Sequence, residues 1–384
     1  MHQIVTLFIL VGLVLATQKD LGAPNWSCDS SVMAKSKKVP TSAHSVRFAD
    51  IKVIGALGDS LTAANGAGAN QGDPLAVILQ YRGLAFQIGG DKSLDEHITV
   101  TNVLKKFNPD LVGYSTGIGS ENVWEVAKLN MGVPGAESKD IVVQARRLVT
   151  LMHSHSEINV KEDWKLVNIF IGANDICVYC EDPYFNDTQP HGKTTFENNI
   201  IQAVQILQDN LPRTIVSLTG MFNMRMLRKI DRNRLFCEGL HIFECDCESS
   251  KTFTDDDIQS VCFNYMNAEK NIQDSGMFDK NEDFTFVVQP FFNGITDPPY
   301  NASGQVDMTF FAPDCFHFSA YGHGNIGMHL WNTIVQPVGF KQTSVNLSDH
   351  TIGLSCPQAD CPYFPTTKNS ANCAAYHTLS EMDK

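Results

Sequence analysis

The chain has 384 residues, 43% hydrophobic and 18% charged, a composition that excludes a disordered or fibrous protein and suffices for one large domain or two smaller ones. Its formal net charge of −13, with no basic cluster, argues against nucleic acid as partner and against electrostatic docking on anionic bilayers. Any lipid contact is therefore expected to be mainly apolar.

In chain order, an apolar run from Ile4 to Ala16 precedes polar Thr17 to Asp20. That length suits a signal-peptide core and falls short of the ~20 apolar residues of a membrane span. Residues 1–16 are expected to be a leader, with an uncleaved anchor as the alternative because no Lys or Arg precedes the run. Residues 17–48 form a polar, turn-rich extension, 49–340 the main domain, and 341–384 a Cys- and Pro-rich tail. The C-terminus, HTLSEMDK, carries no apolar tail, so the mature chain is expected to be exported, with no stable membrane span. Four sequons, at Asn25, Asn186, Asn301 and Asn346, agree with a secreted glycoprotein. Eleven cysteines would mostly pair in an oxidising compartment, leaving at least one over. Cys177-x-x-Cys180 is read as structural disulfide partners, with a redox or metal pair as the alternative.

Buried β-branched runs at Lys52–Leu57, Asp110–Tyr114, Leu166–Ile171, Thr214–Leu218 and Phe284–Val288 are what parallel strands covered on both faces require. Helix-period segments alternate with them: Ser138–Met152, Thr194–Leu211 opening with a Thr194-x-x-Glu197 capping box, and one from near Ser319. The expected fold is a doubly wound, three-layer α/β/α domain with a flavodoxin-like parallel sheet. Residues 221–282, polar, charged and holding four cysteines, read as a disulfide-tied insertion without long periodicity.

Four blocks carry candidate chemistry. In Gly55-Ala-Leu-Gly-Asp-Ser60-Leu-Thr-Ala a buried strand ends at a glycine turn and a serine follows where a helix starts. That places Ser60 at the carboxyl end of a strand, where open sheets bind ligands, and beside N–H groups able to hold an oxyanion. Asp59 and Ser60 as plain helix caps explain this block equally well. Asn130-Met-Gly132 offers a backbone N–H at a close approach, or a simple tight turn. Gly172-Ala-Asn174-Asp175 closes a strand; the Asn174 amide is a candidate oxyanion donor and Asp175 a candidate orienting acid, although Asn-Asp is also ordinary turn chemistry. Asp314-Cys-Phe-His317 places a carboxylate three residues before an imidazole on one loop, an arrangement in which the acid holds one ring nitrogen and leaves the other for a serine.

Together and in this order the blocks resemble those of the GDSL, or SGNH, hydrolase superfamily. That resemblance implies Ser60 as nucleophile, His317 as base, Asp314 as acid, and Ser60 N–H, Gly132 N–H and Asn174 as the oxyanion hole. From about Val53 to Phe340 the chain further resembles the phospholipase B family, through Tyr81-Arg-Gly with Gly89-Gly-Asp, Phe107-Asn-Pro-Asp, Pro134-Gly-Ala with Gln144-Ala, and His317-Phe-Ser-x-x-Gly-His with Leu330-Trp-Asn. That family implies Asp175 as the acid, so both aspartates stand as candidates. The implied activity is hydrolysis of fatty-acyl esters of phospholipids and lysophospholipids, without metal or cofactor. A carbohydrate or short-chain acetylesterase of the same fold, and an inactive secreted binding protein, are the rival expectations.

Overall fold

The computed structural model describes residues 19–182 and 186–381; the apolar run expected to be a leader lies outside them. Four parallel strands pair side by side in chain order: β1 (Ile51–Gly58), β2 (Trp164–Phe170), β3 (Thr214–Thr219) and β4 (Phe284–Gln289). All of β2 to β4 is buried, as continuous apolar runs demand. Within β2, Lys165 is accommodated by donating from Nζ to the carbonyls of Val160, Asp163 and Pro212 at 2.6–2.7 Å.

The segment expected as a strand at Asp110–Tyr114 pairs only through Val112, which exchanges 2.9 Å hydrogen bonds with Lys52 and Ile54 on the free edge of β1. It stops there because Gly113 turns to φ +96°, and a side chain at that position would strike the Ile54 carbonyl. Counted with the sheet, this segment makes the order flavodoxin-like, second strand outermost beside the first.

Eight helices position the site: α1 (Ser60–Ala63), α2 (Val100–Phe107), α3 (Ile141–Ser154), α4 (Ala173–Val178), α5 (Lys193–Asn210), α6 (Leu235–Glu244), α7 (Asp255–Asp274) and α8 (Ala320–Ile334). Helices α3, α5 and α7 pack together on one face, and α2 with α8 on the other, giving the three-layer α/β/α architecture. Helix α5 starts one residue before the expected Thr194 cap. Gly192 occupies the cap, and the Thr194 N–H donates instead to the Asp187 carbonyl, so no capping box forms.

Residues 221–282 differ from the expectation of a segment without long periodicity. They include α7, a 20-residue helix opened by a Thr254–Asp257 capping box, with Ile258, Val261, Cys262, Tyr265 and Ile272 turned inward. Its charged outer face dilutes the apolar stripe, and the helix serves as the crossover between β3 and β4. Only about 221–254 is inserted.

Five disulfides form: Cys28–Cys356, Cys177–Cys245, Cys180–Cys247, Cys237–Cys315 and Cys361–Cys373. Cys177 and Cys180 therefore each reach into the insertion, which leaves no redox or metal pair between them. The odd thiol is Cys262, buried, with burial pushing it up to about 12. The N-terminal extension is held down by Cys28 and by Trp26, which stacks edge-on against Trp331 at 6.2 Å. The tail crosses it, Phe364 N–H donating to Val46 O at 2.7 Å.

Candidate active site

Strand β1 delivers Ser60. A side chain at Gly58 would lie 2.5 Å from the Phe170 carbonyl, so only glycine lets β1 end this close to β2. The Gln144 carboxamide then clamps Gly58, accepting from its N–H at 2.9 Å and donating to its carbonyl at 2.8 Å. Asp59 caps α1, its Oδ1 accepting from Leu61 N–H at 2.9 Å. The cap explanation thus holds for Asp59, while Ser60, the first helical residue, turns its hydroxyl elsewhere.

Ser60 Oγ lies 2.8 Å from His317 Nε2, and His317 Nδ1 lies 2.5 Å from Asp314 Oδ2. The second Asp314 oxygen accepts from the backbone N–H groups of Phe316 and His317, both at 3.0 Å. That loop turns at Cys315, φ +68°, which brings the acid three residues upstream back onto the ring. With Nδ1–H donating to the Asp314 carboxylate, Nε2 is free to accept the Ser60 hydroxyl proton. All three residues are buried. Burial pushes the imidazole down, but the charge and hydrogen bond of Asp314 outweigh it, and His317 stands above its ordinary value. The same pairing overcomes burial at Asp314 and holds that carboxyl below the usual range.

Asp175 does not meet His317. Its two oxygens accept from Ser138, N–H at 2.8 Å and hydroxyl at 2.6 Å, and burial pushes it up to about 6. Of the two candidate acids, the structure therefore places Asp314 on the imidazole and Asp175 on the loop that leads into α3. The separation is physical: Asp175 is on α4, whose short axis points its carboxylate toward Ser138 on the face of α3 and α5.

Of the expected oxyanion donors, Ser60 N–H opens α1. The Gly132 N–H lies 3.1 Å from Asn130 Oδ1, and Asn174 Nδ2 donates to the Ala136 carbonyl at 2.8 Å. A carboxamide carries two hydrogens, so Asn174 keeps one for a ligand.

Sequence reasoning gave no role to Arg82, although Tyr81-Arg-Gly drew attention. Its guanidinium is wholly buried and reaches five acceptors: the Gly119, Asn130 and Gly132 carbonyls, Asn130 Oδ1 and Gln80 Oε1, at 2.6–3.0 Å. Five donors meet five acceptors, which fixes the loop carrying Gly132. Glu244 was also missed. It ends α6 with its carboxyl half inside the protein, where burial, then the neighbouring Asp314, pushes it up to about 7.

A buried serine hydroxyl on an imidazole, the imidazole on a carboxylate, and the serine at the carboxyl end of a parallel strand define the class of serine hydrolases. The model of the family described as GDSL-like Lipase/Acylhydrolase matches residues 54–330, and the chain belongs to that family. It is also similar to human "Phospholipase B1, membrane-associated", 42% identical over 341 residues, and to the mouse protein of the same name, 38% identical over 340 residues. Each match takes in 87% of this chain but only 23% and 22% of those relatives; the chain spans less than a quarter of their length. Among the described residues no helix is long and apolar enough to cross a membrane.

Proposed function

We propose that the chain is a secreted esterase that releases fatty acids from phospholipids and lysophospholipids through an acyl-serine intermediate. The carrying observation is the hydrogen-bonded run Ser60–His317–Asp314; similarity to proteins named phospholipase B1 supports the substrate class. Ser60 Oγ attacks the ester carbonyl as its proton passes to His317 Nε2. The Asp314 carboxylate stabilises the imidazolium, and Ser60 N–H, Gly132 N–H and the Asn174 amide hold the oxyanion. His317 returns the proton to the departing glycerol oxygen. A water then attacks the acyl-serine, gives its proton to His317, and leaves as the fatty-acid carboxyl while Ser60 Oγ recovers a proton. Gly132 N–H reaches the oxyanion by sharing or exchanging its bond to Asn130.

Export is supported by five disulfides and by sequon residues Asn25, Asn186, Asn301 and Asn346, all exposed. The substrate is tested by profiling purified enzyme on acetyl, butyryl and long-chain esters and on phosphatidylcholine. Faster release from long-chain phospholipid is expected; activity confined to acetyl esters would move the enzyme to the acetylesterases.

A further inference from the structure

The loop that carries Asp314 and His317 is gripped from two sides, and both grips end in exposed apolar side chains. On one side, Cys237 of α6 is bonded to Cys315, His241 packs edge-on against Phe316 at 5.9 Å, and Glu244 faces the Asp314–His317 pair. Those residues recur at helical spacing and form the inner face of α6. The outer face then presents Leu235, 84% exposed, Phe236, 56%, and Phe243, 87%. On the other side, the segment after α1 lies along the same loop: Gln71 Nε2 donates to Phe311 O at 2.7 Å, and Gly66 sits between Val77 and Ala312. It raises Leu75, 80% exposed, and Ile78, 78% exposed.

The outward face of a surface helix is ordinarily polar, and large apolar side chains as exposed as Leu235 and Phe243 are unusual there. Here the two exposed groups flank one catalytic loop. A protein partner seated on both would cover the loop bearing His317 and shut out substrate. A lipid surface would cover both groups and supply substrate in the same contact. The net charge of −13 gives no long-range attraction to an anionic bilayer, so binding falls to apolar area.

We propose that Leu235, Phe236 and Phe243 of α6, together with Leu75 and Ile78, form a split apolar rim that inserts into the surface of zwitterionic phospholipid aggregates and seats the Ser60 site on it. This rests on the phospholipid reading above. The disulfide Cys237–Cys315 makes the α6 half of the rim rigid with the histidine loop, so docking and chemistry share one frame.

The test uses the full chain. Flotation of the Ser60→Ala protein with phosphatidylcholine vesicles measures binding apart from turnover, and Leu235→Ser/Phe243→Ser and Leu75→Ser/Ile78→Ser are added in that background and in the active one. Each pair is expected to lower vesicle partitioning and vesicle hydrolysis by about tenfold or more, while turnover of a water-soluble butyrate ester stays within about twofold, since surface changes of this kind leave the fold intact. Unchanged partitioning, or a wild type that fails to float and elutes as a dimer, overturns the rim. So does an equal fall on the soluble ester. A wild type that floats through these residues yet releases no fatty acid supports the rim and sinks the phospholipase reading instead.

Discussion

Ser138 takes both carboxylate oxygens of Asp175, through its N–H and its hydroxyl, which leaves Asp175 with no contact to the imidazole it could otherwise have oriented. Replacing Asp314 by Asn should place the His317 proton on the wrong nitrogen and lower kcat by about 10⁴-fold. Asp175→Asn retains an oxygen for Ser138 and should stay within about tenfold. Steady-state kinetics on both variants decide between them; the reverse ranking would restore Asp175 as the acid.

The Asn174 amide has one hydrogen on Ala136 O and the second available to an oxyanion. Asn174→Ala should lower kcat by roughly 10²–10³ with little change in KM. A loss confined to KM would mean that Asn174 binds substrate without favouring the transition state.

The pH profile has a defined sign. His317 acts as base only when neutral, and Asp314 holds its pKa above the ordinary 6.5 despite burial. kcat/KM should therefore rise with pH through a midpoint above 6.5 and be lost below it. An acid limb below 6 would contradict the Asp314–His317 pairing.

Much of the site was legible because its parts sit at ends of elements that local rules define. Gly58 closes an apolar strand, Ser319 caps α8, and Ser60, Gly132, Asn174 and His317 follow breaks in apolar runs. The choice between Asp314 and Asp175 was not legible, since both follow strand ends at suitable distances along the chain and only the third dimension turns Asp175, on α4, toward Ser138. Helix α7 was hidden by its acidic start, Asp255-Asp-Asp, which serves the helix N-terminus but reads as insertion. The pairing of Cys237 with Cys315, 78 residues apart, had no local signal at all.

Arg82 offers a stability test. Lysine has three donors for the five acceptors that the guanidinium serves, so Arg82→Lys removes at least two of these hydrogen bonds and the planar fork that joins them. Denaturant unfolding should show a loss of about 2–5 kcal/mol. Stability equal to wild type would show that the fork does not hold the Gly132 loop.

Fatty-acid release from phosphatidylcholine by wild type and Ser60→Ala, purified from the same exporting host, tests whether Ser60 is the nucleophile. The variant should be slower by at least about 10⁴-fold, with its fold intact. Release at the wild-type rate from Ser60→Ala would contradict that role.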